Sequence, residues 1–224
     1  TAVWDCMLVS SMAVASTVTG NSINGTGTAA PTTYGISVWN DQTAPLISGG
    51  TINNVQFGIN VNNYEGYPTT GSNANNTLAT IDGVTISNVT LAGVRVNDNA
   101  LNTNGATVFA EIKNSTINGS ATATGILVSG SDATANIHDN SSTITGMLVG
   151  VDIDGGTASL TTSKIDANGT GVRVKNSGTL TSTTNNFITN NTADGISIEA
   201  TAGAIGAITN NDLSGNALKA INNA

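Results

Sequence analysis

Apolar residues along this chain fall in short runs, and one run recurs: a glycine, a β-branched residue, any residue, a second β-branched residue. It reads Gly35-Ile36-Ser37-Val38, Gly58-Ile59-Asn60-Val61, Gly93-Val94-Arg95-Val96, Gly125-Ile126-Leu127-Val128, Gly150-Val151-Asp152-Ile153, Gly171-Val172-Arg173-Val174 and Gly195-Ile196-Ser197-Ile198. Copies at roughly 20- to 35-residue intervals predict a solenoid of stacked coils. Two further apolar columns keep step with the phrase. One is Ile52, Ile86, Ile117, Ile144, Ile165, Ile188 and Leu213; the other is Ile47, Ile81, Ile112, Ile137, Leu160 and Ile208. Polar turns separate the three segments, and side chains of period two send alternate residues inward.

That pattern predicts an all-β fold: a right-handed, single-stranded parallel β-helix with three short strands per coil. Ile52 to Leu213 gives about 27 residues per coil, hence roughly eight coils and a single domain over residues 1–224. Residues 1–16 are expected to cap the first coil or to be extraneous to the repeat. The β-branched pair fits a pleated, stacked core. The glycine marks a sharp bend where a side chain would clash or φ must be positive. Asn54, Asn88, Asn168, Asn191 and Asn216 recur near that bend and are expected to form an interior ladder of amides.

The stretches Asn185-Asn186-Phe187-Ile188-Thr189-Asn190-Asn191 and Thr192-Ala193-Asp194-Gly195-Ile196-Ser197-Ile198 resemble right-handed parallel β-helix repeat proteins. That broad group includes pectate-lyase-like enzymes and the repeat regions of large secreted and surface proteins. The resemblance covers about residues 17–221. It implies the fold; it does not imply one activity, because the architecture carries lyases, hydrolases, epimerases, tailspikes and adhesin stalks.

Composition narrows the partners. Charged residues make up 9% of the 224-residue chain and the net charge is -8, so no basic stripe exists to hold a nucleic acid backbone. No apolar run approaches the length of a membrane helix, and membrane insertion is not expected. Cys6 is the single cysteine and excludes an intrachain disulfide. Asn-x-Ser/Thr tripeptides such as Asn114-Ser115-Thr116 arise by chance in a chain this rich in Asn and Thr.

Stacking turns scattered charges into columns. Ser48, Asp82, Lys113, His138, Thr161 and Thr209 each follow an inward aliphatic and should share one outer ridge. Asp82, Lys113 and His138 are the candidate catalytic group: a lysine beside a carboxylate can act as base or clamp on an acidic sugar, with histidine sharing proton transfer. On the glycine-phrase face Asp152 should stack on Arg173, while Asp154, Lys175 and Glu199 alternate in sign. Register pinning alone produces such alternation. Two insertions, residues 62–76 and 97–107, interrupt the coils. They bring Tyr64, Glu65, Tyr67 and Asp98 as candidate substrate-binding residues, the tyrosines stacking on sugar rings and the acids bonding hydroxyls. No metal site is expected; Asp152 and Asp154 are the one hint of calcium, and no cofactor is assigned.

Three functions follow as expectations. The first is a non-enzymatic segment of a secreted or cell-surface protein, acting as stalk, adhesin or interaction scaffold toward a polysaccharide or another surface protein. Its open coil edges predict flanking sequence or end-to-end self-association. The alternative is a polysaccharide lyase or glycoside hydrolase using an outer groove. The third is ice or mineral binding by threonines. For this reading Thr143-Ile144-Thr145, Thr179-Leu180-Thr181 and Thr181-Ser182-Thr183 are the candidates, but they are not expected to recur at one coil position, as a lattice match requires.

Overall fold

Successive short strands turn three corners per coil and come to lie on the strand three places earlier. In the computed structural model, which describes residues 5–10, 16–25, 33–39, 41–63, 76–98, 105–139 and 143–224, this generates three parallel sheets. Sheet A has nine strands, sheet B eight and sheet C seven; the first seven coils contribute one strand to each in the order A, B, C, and Ile196–Ile198, Ile205–Thr209 and Ile221–Asn223 add to sheets A, B and A. The chain is a parallel β-helix. Among the described residues there is no helix long and apolar enough to cross a membrane.

The predicted columns are the core. Ile36, Ile59, Val94, Ile126, Val151, Val172 and Ile196 are register partners down sheet A. All are buried. Sheet C stacks Ile23 on Ile52, Ile86, Ile117, Ile144, Ile165 and Ile188. Sheet B stacks Val18, Ile47, Ile81, Ile112, Ile137 and Leu160, then Thr183 before Ile208. A fully buried isoleucine contributes about 2 kcal/mol over an exposed one, so these ladders carry most of the folding free energy. Thr183 interrupts the third ladder. A register shift between Ala158 and Ser159 brings it inward, where its Oγ1 accepts from Asn186 Nδ2 (2.9 Å).

The glycine of the repeat phrase is needed for space, not for a left-handed φ. None of the seven has positive φ. A Cβ on Gly125 would meet Ile144 Cγ2 at 2.5 Å and also the carbonyl oxygen of Gly150 on the next coil. Left-handed φ belongs to other residues at the corners, most regularly at the corner from sheet B into sheet C. There Gly20, Gly49, Gly83, Asn114, Asp139, Thr162, Asn185 and Asn210 have φ between 49° and 69°. Glycine, asparagine and aspartate tolerate that region best. Each N–H from Gly49 to Asn185 in this column donates to the next coil's carbonyl, as Gly83 does to Lys113 O (3.1 Å).

The asparagines form two interior ladders, both in the C-terminal coils. At the corner into sheet A, Asn168 N donates to Asn191 Oδ1 (2.9 Å) and Asn191 N to Asn216 Oδ1 (3.1 Å). At the corner into sheet C, Ser163 N donates to Asn186 Oδ1 (2.8 Å) and Asn186 N to Asn211 Oδ1 (3.0 Å). Asn54 and Asn88 are not members. They sit one residue earlier at φ 57° and 50°, and the inward position in their coils is Val55 or Val89. Their amides bond outside, Asn54 to Asn24 and Asn88 to Asn53.

Candidate functional site

The outer ridge of sheet B is built from strands Thr77–Asp82, Val108–Lys113 and Ala133–His138. Their last residues are register partners: Asp82 with Lys113, and Lys113 with His138. Sharing a column does not make them share bonds. Asp82 Oδ1 accepts from Asn114 Nδ2 (2.9 Å), whereas Lys113 Nζ lies 3.6 Å from Glu111 Oε2. His138 sits between two acids, with Nε2 3.0 Å from Glu111 Oε1 and Nδ1 2.9 Å from Asp139 Oδ2. Partial burial alone would lower the His138 pKa, but the hydrogen bonds to Asp139 and Glu111 outweigh it and raise the value. A histidine so held keeps its proton and is a poorer base.

Glu111 is the residue that column reading misses. It stands two positions before Lys113 on the same outward row, so period two applied along the strand, as well as down the stack, would have found it. Asp98 is 6% exposed and joins coils, accepting from Asn63 Nδ2 (2.6 Å) and from Asp132 N (3.4 Å). Tyr64, Glu65 and Tyr67 lie outside the described residues.

Sheet A presents two different outward faces. Toward the C-terminal end Arg173 grips Asp152 with both ends of its fork, Nε to Oδ1 at 3.0 Å and Nη2 to Oδ2 at 2.7 Å. Lys175 Nζ bridges Asp152 (3.6 Å) and Asp154 (3.2 Å), so this acid pair already holds the protein's own cation. The hydrogen bonds to Asp152 push the Arg173 pKa up. Among the described residues no group of three or more His, Cys, Asp or Glu converges as a metal site.

Toward the N-terminal end the same sheet carries aromatics and a cation, Arg95, that has no ion pair among the described residues. Tyr34 and Phe57 stack with ring centroids 5.3 Å apart, and the Arg95 guanidinium lies 5.2 Å from the Phe57 centroid. Both sequence insertions follow the neighbouring corner, after Asn63 and after Asp98. No family model, curated protein or solved structure matches this chain. The residues themselves therefore carry the functional argument.

Sheet C adds an array that the threonine count did not reveal. Ser22-Ile23-Asn24, Thr51-Ile52-Asn53, Thr85-Ile86-Ser87, Thr116-Ile117-Asn118 and Thr143-Ile144-Thr145 occupy one position in five successive coils, in register. The isoleucine points in and the flanking pair points out. Thr143-Ile144-Thr145 thus does recur in kind at a single coil position; the triplets within Thr179–Thr184 belong to sheet B. Neighbouring pairs bond along the stack, Asn53 Nδ2 to Asn24 Oδ1 (3.2 Å) and Ser87 Oγ to Asn53 Oδ1 (3.1 Å). Lys164 and Phe187 end the array.

Proposed function

We propose that the chain is a non-enzymatic β-helical segment of a secreted or cell-surface protein and serves as an interaction scaffold. It is read as a right-handed member of the pectate-lyase-like architecture that has no lyase chemistry. One observation carries this: the charged residues of the candidate clusters are engaged by the protein's own side chains. Glu111 engages Lys113 and His138, Asp152 engages Arg173 and Lys175, and Asp166 accepts from Thr189 and Asn190. Those donors, with Lys164, hold the Asp166 pKa below its ordinary value although burial opposes them. A catalytic carboxylate group must instead face substrate with its protons available. Incubated with acidic and neutral polysaccharides, the protein is expected to release neither new reducing ends nor unsaturated products. Turnover that disappears in Lys113→Ala or His138→Ala would overturn this reading in favour of a lyase or hydrolase.

The sheet C array favours a second reading, binding to ice or another ordered crystal face. Its rows repeat at about 4.8 Å between coils and about 6.7 Å across the Thr-x-Asn pair, set by sheet geometry. The array is uncharged over five coils, and mutual bonds join its outward side chains across the first three, from Thr51 to Ser22, Asn53 to Asn24 and Ser87 to Asn53. Thermal hysteresis is the test. A measurable gap that closes in Thr85→Lys, placed mid-array on an outward position, is expected; freezing and melting points that coincide in the unmodified protein exclude it.

A further inference from the structure

Arg95 stands outside these ion pairs, as do Lys219, which bonds Asn222, and the buried Asp41, whose Oδ2 has no donor. Among the described residues no carboxylate lies within ion-pair distance of it. Its Nη2 donates to Asn97 Oδ1 (2.9 Å), and burial lowers its pKa against the opposing influence of Tyr34. Its Nε–H is buried without an acceptor. Asn60, the register partner of Arg95 on the adjacent strand, is 2% exposed although it points outward, and its Oδ1 has no donor. Trp39, on the strand beyond, buries Nε1–H without an acceptor. Three unused polar atoms therefore lie on three consecutive strands, Tyr34–Trp39, Phe57–Asn62 and Ala92–Asn97, with Trp39 one outward position further along than Asn60 and Arg95. They comprise two donors, one of them on a cation, and one acceptor. The Arg173 end of the same sheet has no such atoms among its described residues.

Unmade buried hydrogen bonds and an uncompensated cation both cost free energy, and both are relieved by the same kind of guest. We propose that this face binds a small hydroxylated carboxylate. The carboxylate accepts from Arg95 Nε–H and Trp39 Nε1–H, and a hydroxyl donates to Asn60 Oδ1. The proposal deepens the interaction-scaffold reading by giving the scaffold a ligand class, and it requires no turnover.

The sequence offers a direct test because Arg95 and Arg173 are its two arginines. Their Nε–H resonances can be followed separately, with Arg173, already held by Asp152, as the internal control. Gluconate is the probe; acetate supplies charge without hydroxyls, and sorbitol hydroxyls without charge. Gluconate is expected to shift the Arg95 Nε–H and the Trp39 indole N–H, acetate to do so more weakly, and sorbitol not at all. Asn60→Asp places a carboxylate beside Arg95 and should weaken gluconate binding about tenfold or more, with the Arg173 resonance reporting an intact fold. In Arg95→Lys the indole signal remains as reporter and should show a similar loss.

No shift with gluconate, an equal shift at Arg173, or an equal response to sorbitol would each overturn the proposal. Acetate binding as tightly as gluconate would remove the role given to Asn60. Catalytic turnover of a polysaccharide would overturn the scaffold reading and leave the arginine titration unchanged, so the two failures are distinguishable.

Discussion

Replacing Gly125 with alanine is expected to cost about 3 kcal/mol of unfolding free energy, read from urea midpoints at constant slope. One methyl group is a small change, so the argument rests on where it goes. The new Cβ would fall 2.5 Å from Ile144 Cγ2 and against the carbonyl oxygen of Gly150. Neither neighbour has room to retreat. Ile144 is fully buried in the sheet C ladder, and Gly150 belongs to a strand locked in parallel register with Thr124–Ser129. Relief would require separating two coils whose spacing the backbone hydrogen bonds set. Gly83→Asn is the matching control. A Cβ there meets nothing nearer than Gly49 N at 3.9 Å, and its φ of 69° lies in the left-handed region that asparagine occupies at the equivalent Asn114 (50°) and Asn185 (55°). That variant should stay within about 1 kcal/mol of the parent. A Gly125→Ala loss below about 1 kcal/mol would show that the coils can part, and that the recurring glycine is not a spacing device.

These two glycines mark where the sequence was legible and where it was not. The repeat phrase and the Ile52 and Ile47 columns disclosed the sheets, their register and the inward residues, because a solenoid converts sequence period directly into spatial neighbours. The cause of the glycine was only half legible, since close approach and positive φ leave the same letter in the sequence. Asn54 and Asn168 look alike for a similar reason: a one-residue offset at a corner moves an amide from the outside to the inside. The ridge Asp82, Lys113 and His138 was foreseen as a column, yet bond partners are chosen along the strand as well as down it, and Glu111 takes both cations. Thr183 needed the register shift at Ala158 to come inward. Arg95 could be placed beside Leu127 from sequence, but an Nε–H without an acceptor is a property of rotamers and burial. The sheet C triplets were readable in principle; what hid them was variation between Thr, Ser and Asn at one outward site.

Asn191→Ala is expected to cost roughly 3 kcal/mol, because the side chain serves two coils at once. Its Oδ1 accepts from Asn168 N (2.9 Å) and Asn168 Nδ2 (3.3 Å), while its Nδ2 donates to Asn216 Oδ1 (2.8 Å). Alanine leaves two donors on Asn168, itself 1% exposed, without that acceptor, and no water can reach them without opening the corner. Asn191→Val separates polar satisfaction from packing. Val55, Val89 and Met147 fill the same column in earlier coils, so the position accepts an apolar side chain of that size. Gly119 lies between Val89 and Met147 in that column, and the ladder begins only where Met147 N donates to Asn168 Oδ1 (3.1 Å). Valine at 191 would therefore restore volume and still strand the Asn168 amide, recovering no more than about a third of the alanine loss. Asn216→Ala, in a half-exposed coil where solvent can replace the lost bonds, should cost about 1 kcal/mol. Equilibrium unfolding ranks the three variants, and hydrogen exchange at the Asn168 amide reports the local opening. If Asn191→Val proved as stable as the parent, the asparagines would be fillers of a polar corner, and the ladder would contribute nothing to holding the coils together.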